Sequence, residues 1–328
     1  TLSARSRPAL EALAARYADF LDAHPEMDLA DICYTAQSGR SHFAHRLAIH
    51  ADSHAGFVAQ LRPIAAGQPT ASAPVAPLPG NRRPKTAFLF TGHGAHYPRM
   101  GRGLYEREPV FRRTLERCGE ILQDHLPTPL LDVLYPPTPE QPALLERMTY
   151  GQPAIFALEV ALAELWRSWG IEPDAVIGHS TGEFAAACFA GVFSLEDGLA
   201  LIAARGRLMD VTPPGGQTVA VMASAAQVEA LLAEHPQVSL AAVNGPRNVV
   251  ISGVAQAVQP ALEALELLGV PTKTLAIPIA AHSALMDPIL DDFAGAVGQA
   301  KLAPPRLPLV SSMTGQVAGH EIAAPGYW

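Results

Sequence analysis

Gly178-His179-Ser180-Thr181-Gly182 sets a serine between two glycines, where a short apolar run gives way to an alanine-rich one. When a strand turns sharply into a helix at Gly-x-Ser-x-Gly, the serine hydroxyl projects from the end of the sheet and the glycines let the backbone pass close by. Ser180 is therefore a candidate nucleophile, with the free amides and positive end of the following helix available to an oxyanion. The plain alternative is an ordinary glycine-rich strand-to-helix turn. A serine at its usual pKa needs a base. Of the 12 histidines, His282 fits: it ends the strand-like run Ala276-Ile277-Pro278-Ile279 and precedes a helix predicted over 284–293. Asp287, Asp291 and Asp292 follow, none placed to orient the ring, so a triad and a dyad held by a backbone carbonyl stand equally. His179 points away along the strand and reads as structural. His42, His45, His50 and His54 would have metal-ligand spacing on a helix, but Phe43, His45, Leu47 and Ile49 alternate as in a strand, and no metal is expected there.

Arg205 continues the apolar face Leu195, Leu199, Ile202 of a helix that starts after Ser194, which forms with Asp197 a pattern resembling a capping box. A guanidinium turned towards a core must find an anion, since an unpaired buried charge costs several kcal/mol. An internal carboxylate such as Glu183 would serve, and so would a substrate carboxylate gripped by two parallel N–H···O bonds. The pattern alone favours neither.

These residues need a frame. A strand over 86–90 opens into a glycine-rich turn, a helix covers 154–169, a strand covers 175–177, and a helix over 184–190 stops at Gly191. Strands alternating with helices imply a parallel sheet covered on both faces. Residues 217–277 read strand, helix, strand, a turn at Asn244-Gly245-Pro246, strand, helix, strand, the βαββαβ order of a ferredoxin-like unit. Residues 63–85 carry so much Pro, Ala, Ser and Gly that neither periodicity survives, and they read as a connector. Before it, a helix over 9–21 and the alternation near 43–49 indicate a small α/β unit over 1–62. The fold class is α/β. A parallel-sheet, hydrolase-like large domain (86–215 and 278–328) carries an inserted ferredoxin-like small domain (216–277), and the small α/β unit precedes both.

With 49% hydrophobic and 16% charged residues, 328 residues are enough to bury large cores, which excludes disorder. The net charge of −8 and scattered basic residues speak against nucleic acid as a partner. No apolar run approaches the roughly 20 residues of a membrane span, and no signal peptide opens the chain. Cys33, Cys118 and Cys188 are far apart, as reduced thiols are. A soluble, cytoplasmic protein with no membrane partner is expected.

Six stretches then occur in order: Phe88-Leu-Phe-Thr-Gly-His-Gly-Ala-His96, Thr149-Tyr-Gly-Gln-Pro-Ala-Ile-Phe-Ala-Leu158, Gly178-His-Ser-Thr-Gly-Glu183, Ala204-Arg-Gly-Arg-Leu-Met209, Ala242-Val-Asn-Gly-Pro246 and Ala281-His-Ser-Ala-Leu-Met286. The set resembles the acyltransferase domain of modular type I polyketide synthases, related to malonyl-CoA:acyl carrier protein transacylases. Leu2-Ser-Ala-Arg5 and the helix after it look like the linker from a ketosynthase to such a domain. The resemblance covers essentially the whole chain.

It implies ping-pong acyl transfer without a bound cofactor or metal. Ser180, activated by His282, attacks the thioester of a malonyl-type acyl-CoA, and the backbone amides of His93 and Thr181 form the oxyanion hole. Arg205 falls on the family's carboxylate-binding arginine, and Gln152, Ile279, Ala280 and Ala281 on positions of substrate selectivity. The phosphopantetheine thiol of an acyl carrier protein takes the acyl group, with a ketosynthase domain as neighbour. The family continues beyond the position of Trp328 with a Gln whose backbone carbonyl orients the histidine. Three departures stand out. His93 and His96 replace the glutamines of Gly-Gln-Gly-x-Gln. Thr181 stands where malonyl-selective members carry an aliphatic residue and methylmalonyl-selective ones a glutamine. Ile279-Ala-Ala-His282 is neither the His-Ala-Phe-His of malonyl enzymes nor the Tyr-Ala-Ser-His of methylmalonyl enzymes. Thr149-Tyr-Gly-Gln152 resembles malonyl-selective members, whereas Ala281 leaves room for a branch, so malonyl leads with a branched malonyl unit close behind. The competing readings are a serine hydrolase that edits misloaded acyl groups and a non-catalytic docking module.

Overall fold

The computed structural model describes residues 1–70, 84–136, 144–275, 277 and 279–328. They form two compact units, Thr1–Pro84 and Lys85–Trp328. In the first, strand β1 (Leu2–Ala4) pairs antiparallel with β2 (His45–Leu47), and helices α1 (Arg7–Ala23), α2 (Leu29–Ser38) and α3 (His54–Ala65) complete the unit. The side chains of Ser6, Asp28 and Ser53 each accept an orphan amide at the start of a helix. Two corrections arise here. Helices α2 and α3 were not foreseen, and 63 does not begin an irregular connector. Pro63 lies in the last turn of α3, because Leu61 and Ile64 continue the buried face past it into the core with Leu10, Ala14 and Leu47. Residues 71–83 of the expected connector lie outside the described residues. Of the four spaced histidines, His45 is in β2, and the His42 ring bonds the carbonyl of Gln37 at 2.8 Å.

The second unit begins with β3 (Ala87–Phe90), followed by α4 (Arg102–Arg107), α5 (Pro109–Leu122), α6 (Leu130–Leu134) and the long α7 (Met148–Ser168). Then come β4 (Ala175–Gly178), α8 (Thr181–Ala190) and α9 (Leu195–Asp210). Strand β4 lies between β3 and a late strand, parallel to both. Helix α7 is buried on nearly every face, and the alanines of α8 let that helix lie close to the sheet. Its start corrects the sequence reading by six residues. The Asp210 carboxylate accepts the amides of Met148 and Thr149 at 2.9 and 3.0 Å, an N-terminal cap supplied by the end of α9, and Pro153 is accommodated within the helix. Thr149 to Gln152 are therefore helical.

The inserted part consists of β5 (Gly216–Val221), α10 (Ala225–Leu232), β6 (Val238–Gly245), β7 (Asn248–Val254), α11 (Ala255–Leu267) and β8 (Thr272–Thr274). Its sheet order is β6-β7-β5-β8 with every neighbouring pair antiparallel, as in a ferredoxin-like unit, and it has its own apolar core around Val219, Val228 and Ile251. Of the strand-like run before His282, Ala276 and Pro278 lie outside the described residues, and Ile277 and Ile279 pair with no named strand. The helix expected over 284–293 is a 3-10 helix, Ala284–Ile289, followed by α12 (Leu290–Val297); Pro288 has no amide to continue one α-helical ladder through the junction. Strand β9 (Leu309–Val310) is the late strand that completes the parallel sheet. Among the described residues, no helix is long and apolar enough to cross a membrane.

Candidate active site

Ser180 is the second of the two residues between β4 and α8, with φ 50° and ψ −111°. A serine with positive φ is strained, and such strain is held at sites where geometry matters. Two glycines make the turn possible: a Cβ on Gly178 would collide with the backbone of Gly182 and Glu183, and one on Gly182 with the carbonyls of Phe90 and Thr91. Serine at a helix start usually caps an amide, but Ser180 Oγ makes no cap bond and lies 2.8 Å from Nε2 of His282. His282 also has a positive φ, 58°. Its turn is pinned by Ser283, whose Oγ donates to the carbonyl of Ala280 at 2.7 Å and accepts the amide of Leu285. Among the described residues, neither a carboxylate nor a carbonyl takes His282 Nδ1, and Asp287, Asp291 and Asp292 do not reach it. The ring stands in a cleft, where burial first, then the charges of Arg205 and His179, push its pKa down to about 4.

The amide of Thr181, at the first position of α8, donates to nothing among the described residues, and neither does that of His93 in the turn after β3. The same turn touches the serine turn. A Cβ on Gly92 would sit 2.8 Å from the His179 ring and 2.9 Å from its carbonyl oxygen. The His93 ring packs 4.4 Å from that of His96, with Nδ1 buried and unpartnered among the described residues. Burial and the charges of His96 and Arg205 bring its pKa down to about 4.

Arg205 sits in the middle of α9. Its Nη1 donates to Gln152 Oε1 at 2.6 Å and to Thr181 Oγ1 at 3.5 Å, and its Cζ lies 5.7 Å from the centroid of Phe184. All three partners are neutral. No ion pair to Arg205 forms among the described residues, and burial lowers its pKa to about 10. Gln152, fully buried on α7, turns its Nε2 towards the sulfurs of Met209 and Met148 at 3.1 and 3.5 Å, which leaves its oxygen for the guanidinium. Glu183, the internal partner considered for Arg205, is committed elsewhere: it accepts the amide of Ser312 at 3.0 Å, the Ser312 hydroxyl, and the Tyr327 hydroxyl at 2.6 Å.

An inner chamber of about 140 Å³ collects His93, Gln152, Ser180, Thr181, Arg205 and His282, with Ala281 on its wall. It adjoins an outer cleft of about 870 Å³ between β6 of the small sheet and the 283–293 segment, which also reaches Ser180 and His282. Two expected selectivity residues are not on the chamber wall. Ile279 packs behind it against Met148 and Met209, and Ala280 is buried against Gly216. His179, read from sequence as turned away, lines both cavities.

Comparisons with known proteins give the family. Residues 87–328 match the family model described as Acyl transferase domain, and residues 1–61 match one described as CurL-like, PKS C-terminal. The chain belongs to the acyltransferase domains of polyketide synthases. This acyltransferase domain is 39% identical over 327 residues to Mycoketide-CoA synthase of Mycobacterium tuberculosis, and 40% over 333 residues to polyketide synthase GfsB of Streptomyces halstedii. All of the chain is covered in both cases, but it spans only 8% and 6% of those much longer proteins. Among solved structures, the acyltransferase domain from module 8 of the salinomycin polyketide synthase superposes with TM-score 0.87 at 31% identity, covering 100% of this chain and 77% of that one. The acyltransferase domain of SpnD, in complex with 2-(pent-4-yn-1-yl)malonyl, gives 0.85 at 38%, covering 100% and 76%. The malonyl CoA-acyl carrier protein transacylase of Coxiella burnetii gives 0.68 at 25%, covering 74% and 77%.

Two contributors to the candidate site were not singled out from the sequence: Asp210 caps α7 and so sets Gln152, and Ser283, inside the stretch Ala281 to Met286, holds the turn of His282. Asp210 lies one residue beyond the stretch ending in Met209, and only its role at a distant helix start gives it meaning.

Proposed function

We propose that this domain transfers a carboxylated, malonyl-type extender unit from coenzyme A to the phosphopantetheine thiol of an acyl carrier protein, through an ester on Ser180. In the first half, Ser180 Oγ attacks the thioester carbon while His282 Nε2, 2.8 Å away, takes the hydroxyl proton. The carbonyl oxygen becomes an oxyanion that the amides of Thr181 and His93 receive. Collapse breaks the C–S bond, and the proton passes from His282 to the departing coenzyme A sulfur. In the second half the carrier thiol repeats these steps on the ester and frees Ser180. His282 and Ser180 act as a dyad in this reading.

The observation that carries the substrate class is Arg205, a cation in the inner chamber with only neutral partners among the described residues. A free carboxylate on the acyl group supplies the missing anion. Its arrival also offsets one of the charges that depress His282, so the base strengthens as the correct substrate binds. A hydrolase of plain acyl chains has no use for that cation. The malonyl-type ligand in the SpnD domain supports the same class. Within it, the small Ala281 on the chamber wall admits a branch, and malonyl remains first with a branched malonyl unit second. The match of residues 1–61 to a polyketide synthase segment supports a ketosynthase domain as neighbour. Intact-protein mass spectrometry with malonyl-CoA tests the reading. A malonyl adduct is expected on the chain and none on a folded Ser180→Ala; an adduct that persists in Ser180→Ala refutes it. Competition between malonyl-CoA and methylmalonyl-CoA for Ser180 ranks the two substrates.

A further inference from the structure

Glu159 is a carboxylate in the middle of α7, only 8% exposed, in the apolar run Ala157 to Ala161. Nothing in the proposed chemistry uses it. Its Oε1 accepts both the amide of Thr91 and, at 2.9 Å, the Thr91 hydroxyl, while Oε2 is buried with no partner among the described residues. Burial lifts its carboxyl pKa to about 7 even though both Thr91 bonds oppose the rise. Keeping such a group in a helix core costs stability that an apolar residue would not. What it holds in return is the backbone immediately after β3. Thr91 is followed by Gly92, which lies against the His179 ring and carbonyl, and then by His93, whose amide donates to nothing among the described residues. On the other side, the Thr91 carbonyl is one of the atoms against which Gly182 of the serine turn is packed. Glu159 therefore grips, from behind, the segment that carries the His93 amide past Ser180.

We infer that Glu159 is a positioning residue for acyl transfer: through Thr91 it fixes the 91–93 turn so that the His93 amide meets the oxyanion formed at Ser180. The inference rests on Ser180 as nucleophile and the His93 amide as oxyanion donor. An amide used in this way contributes only when aimed at the oxyanion, a condition met by a turn with little freedom. Losing such a donor outright costs roughly 10²–10³-fold in rate; a turn that is loosened and not removed loses less.

The test uses the full chain with Glu159→Ala, Glu159→Gln and Thr91→Val, and two reactions of Ser180: acylation by malonyl-CoA in single turnover, and phosphonylation by a fluorophosphonate, which needs the same oxyanion donors but no carboxylate. Glu159→Ala is expected to slow both reactions about tenfold or more, with KM for malonyl-CoA within about twofold of the parent. Glu159→Gln keeps an oxygen acceptor for Thr91 and is expected to recover to within about threefold of the parent. A folded Glu159→Ala with parental rates, a loss confined to KM, or a Glu159→Gln as slow as Glu159→Ala overturns the inference. If Glu159→Ala does not fold, Thr91→Val decides: a drop of about threefold in both reactions is expected, and an unchanged rate overturns it. A parent chain that is phosphonylated but never acylated by malonyl-CoA refutes the substrate reading, and the phosphonylation rates alone then decide the role of Glu159.

Discussion

Glu183 on α8 and Arg205 on α9 both border the outer cleft, and the protein surrounds them differently. Glu183 receives three hydrogen bonds from Ser312 and Tyr327, which tie the loop after β9 and the 325–327 turn to the helix behind Ser180. Burial and the Glu183 carboxylate raise the pKa of the Tyr327 hydroxyl, as expected of a phenol that must stay a donor. Arg205 receives an amide oxygen, a distant hydroxyl and an aromatic face, and no anion among the described residues. A buried charge with its full set of partners is accounted for by the fold, whereas one provided only with neutral partners still lacks an anion, which the proposed carboxylated substrate would supply.

Substitutions on the two sides should separate these roles. The largest effect belongs to the chamber side: His282→Ala should lower kcat/KM for acylation of Ser180 by roughly 10²–10⁴-fold. Because the pKa of His282 is depressed to about 4, the ring is neutral above that value, so the parent rate should rise with pH through about 4 and level off well below neutrality. A midpoint near the ordinary histidine value of ~6.5 would show the ring to be less buried than the structure has it. Next comes Gln152→Glu, which sets a carboxylate beside Arg205 and turns it into a satisfied charge like Glu183. Malonyl transfer should fall on the order of 10²-fold while the melting temperature holds or rises; a melting temperature that drops would break the comparison. Smallest is Glu183→Ala, which leaves donors of Ser312 and Tyr327 unpaired and should cost about 2–3 kcal/mol in denaturant unfolding, with malonyl- and acetyl-CoA reactions declining together.

Much of the chamber was legible because its parts lie in local patterns. The serine between two glycines identified its own strand and helix, and Ser194 marked the start of α9, where its hydroxyl accepts the Asp197 amide at 3.0 Å. The βαββαβ order of the small sheet followed from alternation and turn residues. What local patterns could not show was long-range. Pro153 hid the first turn of α7, since only the Asp210 carboxylate, 62 residues away from Met148, makes a helix start there. Ile64 carried the first unit's core past a proline that by composition opened a connector. The partners of Glu183 lie 129 and 144 residues along the chain, so its choice between Arg205 and the loop after β9 was invisible until the fold brought them together. Glu159, alone among apolar neighbours, gave no signal beyond being out of place.

The measurement that bears most directly on the Arg205 guanidinium is acylation of Ser180 in Arg205→Ala by malonyl-CoA and by acetyl-CoA, with the melting temperature of the same protein. Malonyl transfer should lose about 2–5 kcal/mol in kcat/KM, acetyl transfer should be unchanged or faster, and Arg205→Lys should restore malonyl transfer only in part, since an ammonium keeps the charge without the fork. The melting temperature should show no loss comparable with that of Glu183→Ala, because removing a charge without an anionic partner also removes its desolvation cost. If malonyl and acetyl transfer fall together and the protein melts as early as Glu183→Ala, Arg205 is a structural charge and the assignment of a carboxylated substrate is wrong.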